Sequence, residues 1–396
     1  MDRVIAPDRW DAFPGLGALV EVLGTGDTRV VGGAVRDTLI GKPVYDVDLA
    51  TRHPPDESMR RIKAAGLKAV PTGLKHGTVT AVLASGQPIE VTTLRRDVET
   101  DGRHAVVAFT DDWREDAARR DFTMNALYAD VLTGAVHDHF DGLSDLAAGR
   151  VRFIGDPYQR IAEDHLRILR YFRFHARFGD TIDAEGLMAC TARANDLMAL
   201  SRERIATELL RLLVAPAAVP VAALMVEHGI LRPVLPEIDG AGIARLATLA
   251  EHEAAAGVDP DPIRRLAALL PADAAEGVGG RLKLSNADRK RLIAATAGPG
   301  QEGARALAYR VGPAIALDRL LLAGEDPAPV TGWTPPRLPI GGGALVERGL
   351  SNGPGVAAAL RSIETRWIAE GFPDAARVTE LANDVVAQAL RATSSA

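Results

Sequence analysis

Two aspartates one residue apart inside an apolar segment give the clearest chemical signal in the sequence. Asp46 and Asp48 flank Val47, and successive side chains of a strand point to opposite faces, so an extended segment places both carboxylates on one face. Mg²⁺ commonly takes one or two carboxylates and completes its shell with substrate phosphates. The pair therefore predicts a Mg²⁺ site with Asp46 and Asp48 as ligands, although an isolated Asp-Val-Asp is usually a solvated strand end.

A double glycine lies upstream of the two aspartates. Gly32 and Gly33 follow an apolar pair and are followed by Arg36. Glycines let the backbone approach an anion closely, and the amide N–H groups at the start of a helix point towards that anion. Arg36 would add a positively charged guanidinium with several hydrogen-bond donors. Alone, a double glycine is usually only a tight turn. Combined with the aspartates it favours a triphosphate site, and the absence here of Gly-x-Gly-x-x-Gly and of a P-loop pattern argues against both of those folds.

The elements that must position these groups begin with a predicted hairpin. Residues 76–83 and 88–94 alternate like strands around a turn at 84–87, which places Glu90 on the face opposite Ile89 and Val91. If this hairpin lies beside the Asp46–Asp48 strand, Glu90 becomes a third catalytic carboxylate. A solvated strand glutamate is an equally good interpretation of the pattern.

A basic pair follows a highly charged segment. Residues 96–118 are poor in large apolar side chains and are interpreted as a mobile loop, and Arg119 and Arg120 then open a helix-like pattern. The pair is either an ordinary helix start or a group that closes over a triphosphate or ribose.

A helix with a basic character is predicted over 155–179. Residues 150–177 hold seven arginines and three acids.

The predicted helix carries a carboxylate and a guanidinium three residues apart. Asp164 and Arg167 would be surface neighbours and could form an intrahelical ion pair that contributes a few tenths of a kcal/mol, about 0.2–0.5. Alternatively, a fixed acceptor and a fixed donor could together read the hydrogen-bonding edge of a base. Both interpretations fit the spacing.

Composition sets the broad class of the protein. The 396 residues predict two or more domains, and 47% hydrophobic with 25% charged residues is typical of a globular chain. No apolar run is long enough for a membrane span and no leader pattern precedes Trp10, so we expect a cytoplasmic protein without a membrane partner. Cys190 is the single cysteine, and we expect it to be a small buried residue. The net charge of −6 argues against uniform coating by nucleic acid but allows a local basic face.

Beyond residue 210 the patterns are helical. Amphipathic helices are predicted over 204–214, 218–230 and 240–256, and a Pro- and Gly-rich linker over 324–343. The run 281–291 holds five basic residues and one acid, which fits either a phosphate contact or a solvated face. A glycine-containing turn at 350–356 is predicted to open a helix through Trp367. Together with the strands near the N-terminus, these patterns predict an α+β fold.

The motifs in combination resemble those of the CCA-adding tRNA nucleotidyltransferases of the bacterial and eukaryotic class, which are related to poly(A) polymerases and to DNA polymerase β-like enzymes. The resemblance covers at least residues 28–210. Gly32–Asp37 with Asp46–Asp48 is similar to the family's metal and triphosphate motif, and 119–126 to its ribose-contacting motif. Residues 145–149 resemble its hinge, 163–167 its base-reading motif, and 201–208 the helix start that braces that motif. His165 departs from the proline common in relatives, so the helix entry is expected to differ.

The resemblance implies a mixed-sheet nucleotidyltransferase head with flanking helices, followed by an all-α neck, body and tail. It implies transfer of C, C and A, or part of CCA, from CTP and ATP to the 3′ end of tRNA, with release of pyrophosphate and two-metal catalysis. Asp46 and Asp48 would hold Mg²⁺, and Glu90 would join them as a catalytic residue. The implied nucleotide-binding residues are Gly32, Gly33, Arg36, Arg120, Asp121, Asp164, Arg167, Arg170 and Arg173.

The expected boundaries are 1–140 for the catalytic head, 141–210 for the neck that recognises the base, 211–330 for an RNA-binding body and 331–396 for a tRNA-binding tail. No protein partner is indicated. Two alternatives compete with CCA addition. One is a poly(A) polymerase, although the Gly-Arg-Arg-Phe-like strand signature associated with those relatives is absent before or within 71–83. The other is a noncatalytic RNA-binding protein on the same scaffold, against which the intact Asp46, Asp48, Arg36 and Arg167 argue.

Overall fold

A computed structural model describes residues 4–100, 105–298, 300–351 and 353–394. The chain forms two compact units, Met1–Pro236 and Glu237–Ala396. The first contains the strands, and the second consists of helices and connecting segments. The α+β prediction is therefore confirmed.

The first unit is built around a mixed sheet of seven strands in the order β3-β4-β5-β2-β1-β8-β9. The pair β2–β5 is parallel and the other neighbours are antiparallel. Two further strands, β6 and β7, form a separate antiparallel hairpin. The strands are β1 Thr28–Val31, β2 Asp48–Thr51, β3 Lys68–Gly73, β4 Thr78–Val82, β5 Pro88–Thr93, β6 Arg95–Thr100, β7 Ala105–Phe109, β8 Leu127–Ala129 and β9 Val136–Asp138.

Helices surround the sheet and make up most of the remaining chain. Those of the first unit are α1 Leu16–Leu23, α2 Gly33–Leu39, α3 Pro55–Ala64, α4 Trp113–Ala118, α5 Gly142–Ala147, α6 Pro157–Glu163, α7 Leu166–Phe178, α8 Ala184–Ala192, α9 Arg202–Leu213 and α10 Ala218–Glu227. Those of the second unit are α11 Gly240–Ala256, α12 Pro262–Leu269, α13 Ala275–Arg281, α14 Asn286–Ala295, α15 Ala304–Val311, α16 Pro313–Ala323, α17 Gly342–Val346, α18 Pro354–Ala369 and α19 Ala375–Ser394. No described helix is long and apolar enough to cross a membrane.

Short-range patterns located most of these elements. The predicted hairpin over 76–94 corresponds to β4 and β5, with Val82 opposite Pro88, and the helix predicted at 240–256 has those bounds. The helix opened by the turn at 350–356 is α18, although Asn352 of that turn lies outside the described residues. Cys190 is buried, as expected. The first α-helix of the described chain begins at Leu16.

Three sequence predictions around the site were wrong. Residues 96–118 are not simply a loop, because β6, β7 and α4 form there and Trp113 packs against Tyr128 with ring centroids 5.2 Å apart; the tip at 101–104 lies outside the described residues. The segment after Arg120 forms a short 3-10 helix and then β8 rather than an α-helix. The helix predicted over 155–179 is broken into α6 and α7, because Asp164 has extended backbone (φ −151°, ψ 106°).

Buried ion pairs hold the helices of the second unit together. Arg264 is only 2% exposed and donates to Glu253 at 2.8 Å and to Asp318 at 3.4 Å. Arg291 donates twice more to Asp318, at 2.7 and 2.9 Å. These contacts join α11, α12, α14 and α16, so every buried charge in the group has an opposite partner, as a low-dielectric interior requires.

Candidate active site

Three carboxylates meet at one edge of the central sheet. Asp48 begins β2 and its parallel neighbour on β5 is Glu90. Asp46, Asp48 and Glu90 are exposed, whereas Val47 is fully buried. The hairpin therefore does lie beside the aspartate strand, and the predicted alternation of faces is confirmed at these positions.

Electrostatics at this edge favour a cation. Although the Asp48 side chain reaches solvent, partial burial raises its pKa to about 6, with further contributions from the negative charges of Asp46 and Glu90. Arg120 acts in the opposite direction. A cation beside these carboxylates would relieve the repulsion and favour the ionised form of Asp48.

The oxygen-only donor set fits a hard divalent cation that is completed by substrate phosphates. Within the described ranges, no group of three His, Cys, Asp or Glu side chains is arranged to hold a metal ion by itself. Two aspartates alone supply too few ligands for an all-protein cage. The residues therefore fit a metal that binds together with a triphosphate.

The double glycine forms the turn between β1 and α2. Gly32 has φ 73° and ψ −124°, a conformation that glycine adopts easily and that strains other residues. An added Cβ there would lie 3.5 Å from the Arg120 guanidinium and 3.6 Å from the Asn125 carbonyl oxygen. The backbone thus passes close to Arg120 at the point where α2 begins.

Arg36 lies in the middle of the short helix α2 and is held by several contacts. Its guanidinium donates to Asn125 Oδ1 at 2.5 Å and to Asp37 at 2.8 Å, and it lies 4.1 Å from the centre of the Phe178 ring. Burial lowers its pKa, while Asp37 acts to raise it. Arginine remains charged under all ordinary conditions, so Arg36 presents a fixed positive charge.

Asp116 fixes the basic pair from α4. This carboxylate is 1% exposed and accepts from Arg119 at 2.8 Å, from Arg120 at 3.1 Å and from the Tyr128 hydroxyl at 2.7 Å. It also accepts from the backbone N–H of Arg95 at the start of β6. Burial opposes ionisation, but Arg120 and Arg119 outweigh it, and the pKa of Asp116 falls to about 2. Asp116 therefore connects the β6–β7 hairpin to Arg120.

Asp121 orients Arg170, which lies 49 residues later in the sequence. Its Oδ2 accepts from Arg170 Nε at 2.8 Å and from Nη2 at 2.5 Å, and its Oδ1 accepts from the Asn125 amide and the Phe122 N–H. Burial raises the pKa of Asp121, but the charge of Arg170 and the hydrogen bonds together outweigh burial, so the pKa is lowered. Asp121 is thus a negative partner within the site that orients an arginine.

The two residues expected to read the base lie at the break between α6 and α7. Asp164 accepts from Arg204 Nη2 at 3.1 and 2.9 Å. Arg167 donates instead to Glu163 at 2.6 Å and to the carbonyl oxygens of Arg160 and Arg119. The simple intrahelical Asp164–Arg167 ion pair is therefore not formed, because Asp164 is no longer on the helix. Each side chain has its own supporting partner.

These groups line one cleft of about 470 Å³. Asp48 lies in its lining together with all the residues expected to bind nucleotide, whereas Asp46 and Glu90 lie outside it. The lining consists of Val31, Gly32, Gly33, Arg36, Asp48, Arg120, Asp121, Asn125, Asp164, Arg167, Arg170, Arg173 and Phe174.

Several supporting residues were not singled out from the sequence. Asn125 and Phe174 contact Arg36, and Glu208 accepts from Arg173 at 2.5 Å. Asp116 precedes Arg119 by three residues and Arg120 by four, and these spacings predict ion pairs on a helix. No local spacing pointed to Phe174 or Glu208, because their partners are brought to them by helix packing.

Known proteins share both the sequence and the fold. Residues 28–152 match the "Poly A polymerase head domain" family, and residues 181–241 match the "Probable RNA and SrmB- binding site of polymerase A" family. The mitochondrial CCA tRNA nucleotidyltransferase 1 of Mus musculus is 36% identical in an alignment of length 372 that covers 87% of this chain and 84% of the relative. This chain belongs to the CCA tRNA nucleotidyltransferase family. Enzymes of this family use a divalent metal.

Further members agree with this assignment. The Levilactobacillus brevis CCA-adding enzyme is 45% identical over 189 residues, covering 47% of this chain and 46% of the relative. The crystal structure of the Bacillus stearothermophilus CCA-adding enzyme in complex with CTP superimposes with a TM-score of 0.73 and 26% identity over 92% of this chain and 93% of that one. The expected nucleotidyltransferase identity is thus confirmed, and the match covers 84% of the Mus musculus relative.

Proposed function

We propose that this CCA tRNA nucleotidyltransferase adds C, C and A to the 3′ end of tRNA without a nucleic-acid template, using CTP and ATP and releasing pyrophosphate. One observation carries the proposal. Asp48, the double glycine, the fixed arginines, Asp164 and Arg167 line a single cleft. Relatives are named for the same activity, and a solved relative was crystallised with CTP.

In the proposed reaction the terminal 3′-hydroxyl of tRNA attacks the α-phosphorus of the nucleotide. A phosphodiester bond forms, the bond between the α- and β-phosphates breaks, and pyrophosphate leaves. Mg²⁺, held by Asp46 and Asp48, would supply acidification of the hydroxyl and neutralisation of phosphate charge. The chain contributes positioning: the Gly32–Gly33 backbone, Arg36 and Arg120 bind the triphosphate, and Glu90 adds negative charge beside Asp48.

Base selection follows from the hydrogen-bonding types of two side chains. An ionised carboxylate only accepts and a guanidinium only donates. Cytosine and adenine both present an amino donor next to a ring-nitrogen acceptor, whereas uracil and guanine present a carbonyl oxygen next to an N–H. Asp164 and Arg167 therefore complement C and A and leave unmatched polar groups against U and G, which is costly in a partly desolvated site. Arg170 and Arg173 would bind the base and its phosphates from the next turns of α7.

The alternatives differ in what they predict. A poly(A) polymerase would use ATP repeatedly on many RNA ends, and a noncatalytic scaffold would bind tRNA without adding nucleotides. The decisive assay gives the purified protein tRNA transcripts ending before CCA, after C and after CC, with each labelled nucleotide separately. We expect CTP to be used on the first two transcripts and ATP on the third. Untemplated poly(A) addition, or no addition at all, would overturn the proposal.

The metal assignment has its own test. We expect Asp46→Ala and Asp48→Ala to lose nearly all nucleotide addition while the Kd for tRNA stays within about twofold, because the carboxylates act on the triphosphate rather than on the RNA. Titration with Mg²⁺ and with Ca²⁺ distinguishes a catalytic ion from a merely stabilising one. More than a few per cent of activity in both variants would refute the assignment.

The base-reading assignment is tested by discrimination. We expect Asp164→Ala and Arg167→Ala to lose preference for CTP and ATP over UTP and GTP by about tenfold or more, equivalent to about 1.4 kcal/mol, with a smaller change in triphosphate affinity. Unchanged discrimination in both variants would show that the two side chains only stabilise the helix break.

The four-part division into head, neck, body and tail at 1–140, 141–210, 211–330 and 331–396 stays part of the proposal. It assigns tRNA binding to the helical parts beyond residue 210, including the basic run 281–291. The proposed compartment is the cytoplasm, although the relatives from Mus musculus, Danio rerio and Homo sapiens are named as mitochondrial enzymes. Fractionation of cells that express the full chain tests the compartment directly.

A further inference from the structure

A second, strongly basic cleft lies in the first unit beside the nucleotide cleft. It has a volume of about 630 Å³, and its charged lining consists of Lys42, Arg173, Arg177 and Arg211. The rest of the lining is Pro43 and the short segment 214–216. Among the described residues, no carboxylate belongs to this lining. We call this feature the basic cleft.

The ring of Phe178 contacts cations from both the basic cleft and the nucleotide cleft. The ammonium nitrogen of Lys42 lies 4.7 Å from the ring centre and the Arg177 guanidinium 5.4 Å from it. Arg36, which lines the nucleotide cleft, lies 4.1 Å from the same ring. A single aromatic ring thus contacts three cations. In addition, Arg173 lines both clefts.

The positive charge of the basic cleft is only partly balanced by carboxylates. Arg36 pairs with Asp37, and Arg173 pairs with Glu208. In the part of the chain that the structure describes, Lys42, Arg177 and Arg211 form no ion pair with a carboxylate, although Asp180 lines an adjoining cavity of about 310 Å³ with Lys42 and Arg177. Burial, followed by the charge of Arg177, lowers the pKa of Lys42. Like charges held together in this way favour a bound anion.

The arginines of α7 form a continuous path into this cleft. Arg167, Arg170, Arg173 and Arg177 are spaced by three, three and four residues, which keeps them near one face of the helix. At 1.5 Å per residue the path is about 15 Å long. It begins beside Asp164 and ends at the basic cleft. Because Arg167, Arg170 and Arg173 each have a carboxylate partner, a negatively charged ligand is favoured most at the Arg177 end of the path.

We propose that the basic cleft binds the phosphodiester backbone of the RNA strand whose 3′ end enters the nucleotide cleft. This inference rests on the proposed function in taking RNA as the substrate. Phosphate could also reach the basic cleft as released pyrophosphate. An RNA backbone fits better because four cations extend over a large, partly apolar cleft, whereas a small polyanion such as pyrophosphate needs only a compact group of donors.

The test is the salt dependence of tRNA binding without nucleotide, so that no turnover is required. The variant removes three cations as Lys42→Gln, Arg177→Gln and Arg211→Gln in the full chain. Each phosphate contact on a single strand contributes about 0.7 to the slope of log K against log salt, so three contacts contribute about 2. We therefore expect the slope to fall by about 2, equivalent to about 100-fold weaker binding at 0.1 M salt than in the unsubstituted chain.

Two controls separate charge from folding and location. Arg60→Gln, Lys63→Gln and Lys68→Gln together remove three exposed cations from the same unit, and this variant should keep the original slope. The charge-preserving variant Lys42→Arg, Arg177→Lys and Arg211→Lys should also retain it. The inhibition constant for pyrophosphate should be unchanged in all three.

An unchanged slope in the basic-cleft variant, or an equal fall in the control variant, overturns the inference. A raised inhibition constant for pyrophosphate with unchanged tRNA binding also overturns it, because the cleft would then hold the product. These outcomes are distinct from failure of the proposed function. If the unsubstituted protein bound tRNA but added no nucleotide, the proposed function would fail while the slope measurement would still decide the role of the cleft.

Discussion

The support that Arg204 gives to Asp164 leads to a quantitative prediction. Arg204 lies on the first turn of α9, and its Nη2 donates to both oxygens of Asp164 at 3.1 and 2.9 Å. Asp164 stands in extended backbone between two helices. At the start of α7 its carbonyl oxygen accepts from the Arg167 N–H at 3.0 Å, and its Oδ1 accepts from the Leu166 N–H at 3.1 Å. We expect Arg204→Ala to let the Asp164 carboxylate rotate away from the base edge.

The size of the effect follows from the exposure of the pair. The side chains are 37% and 31% exposed, so the pair should contribute only about 0–1 kcal/mol to the free energy of unfolding. A hydrogen bond to a charged group is typically worth about 1.5–3 kcal/mol, and solvent access places this one at the lower end. We therefore expect the ratio of kcat/KM for CTP over UTP to fall about tenfold, or about 1.4 kcal/mol, with almost no change in Tm.

The assay is single-nucleotide addition to tRNA lacking CCA, with each of the four triphosphates. Arg193→Ala is the matched control, because Arg193 also forms a partly exposed ion pair, with Asp196 at 3.7 Å, but does not line the cleft. Arg204→Lys should recover part of the selectivity. If Arg204→Ala left the CTP to UTP ratio unchanged at an unchanged Tm, the idea that Arg204 orients the base-reading carboxylate would be refuted.

Three further predictions concern the metal edge, the hairpin and the helical unit. The pKa of Asp48 is raised to about 6, so its ionisation lowers the stability of the folded chain as the pH rises from about 4 through 6. Asp48→Asn should therefore raise the Tm of metal-free protein at pH 8 but not below pH 4, and Mg²⁺ added together with CTP should remove the difference. Replacing residues 98–107 by a short Gly/Ser link should preserve addition of the two cytidines but slow the terminal adenosine at least tenfold, as measured by product length; equal loss of both would indicate a folding role. Asp318→Ala leaves the buried Arg264 without one partner. It should lower the free energy of unfolding of the second unit, measured by urea denaturation, by about 3–5 kcal/mol. The control variant Asp326→Ala, at an exposed position, should change this free energy little.

Local sequence was sufficient wherever a short spacing fixes the geometry. The Asp46–Asp48 interval placed two carboxylates on one side and Val47 in the core because side chains alternate along extended backbone. The double glycine marked a turn because Gly32 has a positive φ that other residues rarely adopt. The helix at 240–256 was located because its apolar period and terminal glycine are local features.

Tertiary structure decided which charged groups became partners. Asp121 and Arg170 are 49 residues apart, Asp164 and Arg204 are 40 apart, and Arg173 meets Glu208 across two packed helices. The sequence spacing favoured Asp164 with Arg167, but the helix break moved Asp164 away and gave Arg167 to Glu163. Ion pairs at helical spacing contribute only tenths of a kcal/mol, so the packing of α7 against α9 determined the final pairing.

The sequence by itself therefore determined the chemical types available: carboxylates near glycines, followed by arginines on a helix. Only the folded chain determined that Glu90 stands opposite Asp48 in a parallel pair. It also determined that β6 pairs with β7, and that Asp116 of α4 contacts both Arg120 and the start of β6. The physical reason is that strand order and helix packing depend on burial of apolar surface over the whole unit, which no short spacing encodes.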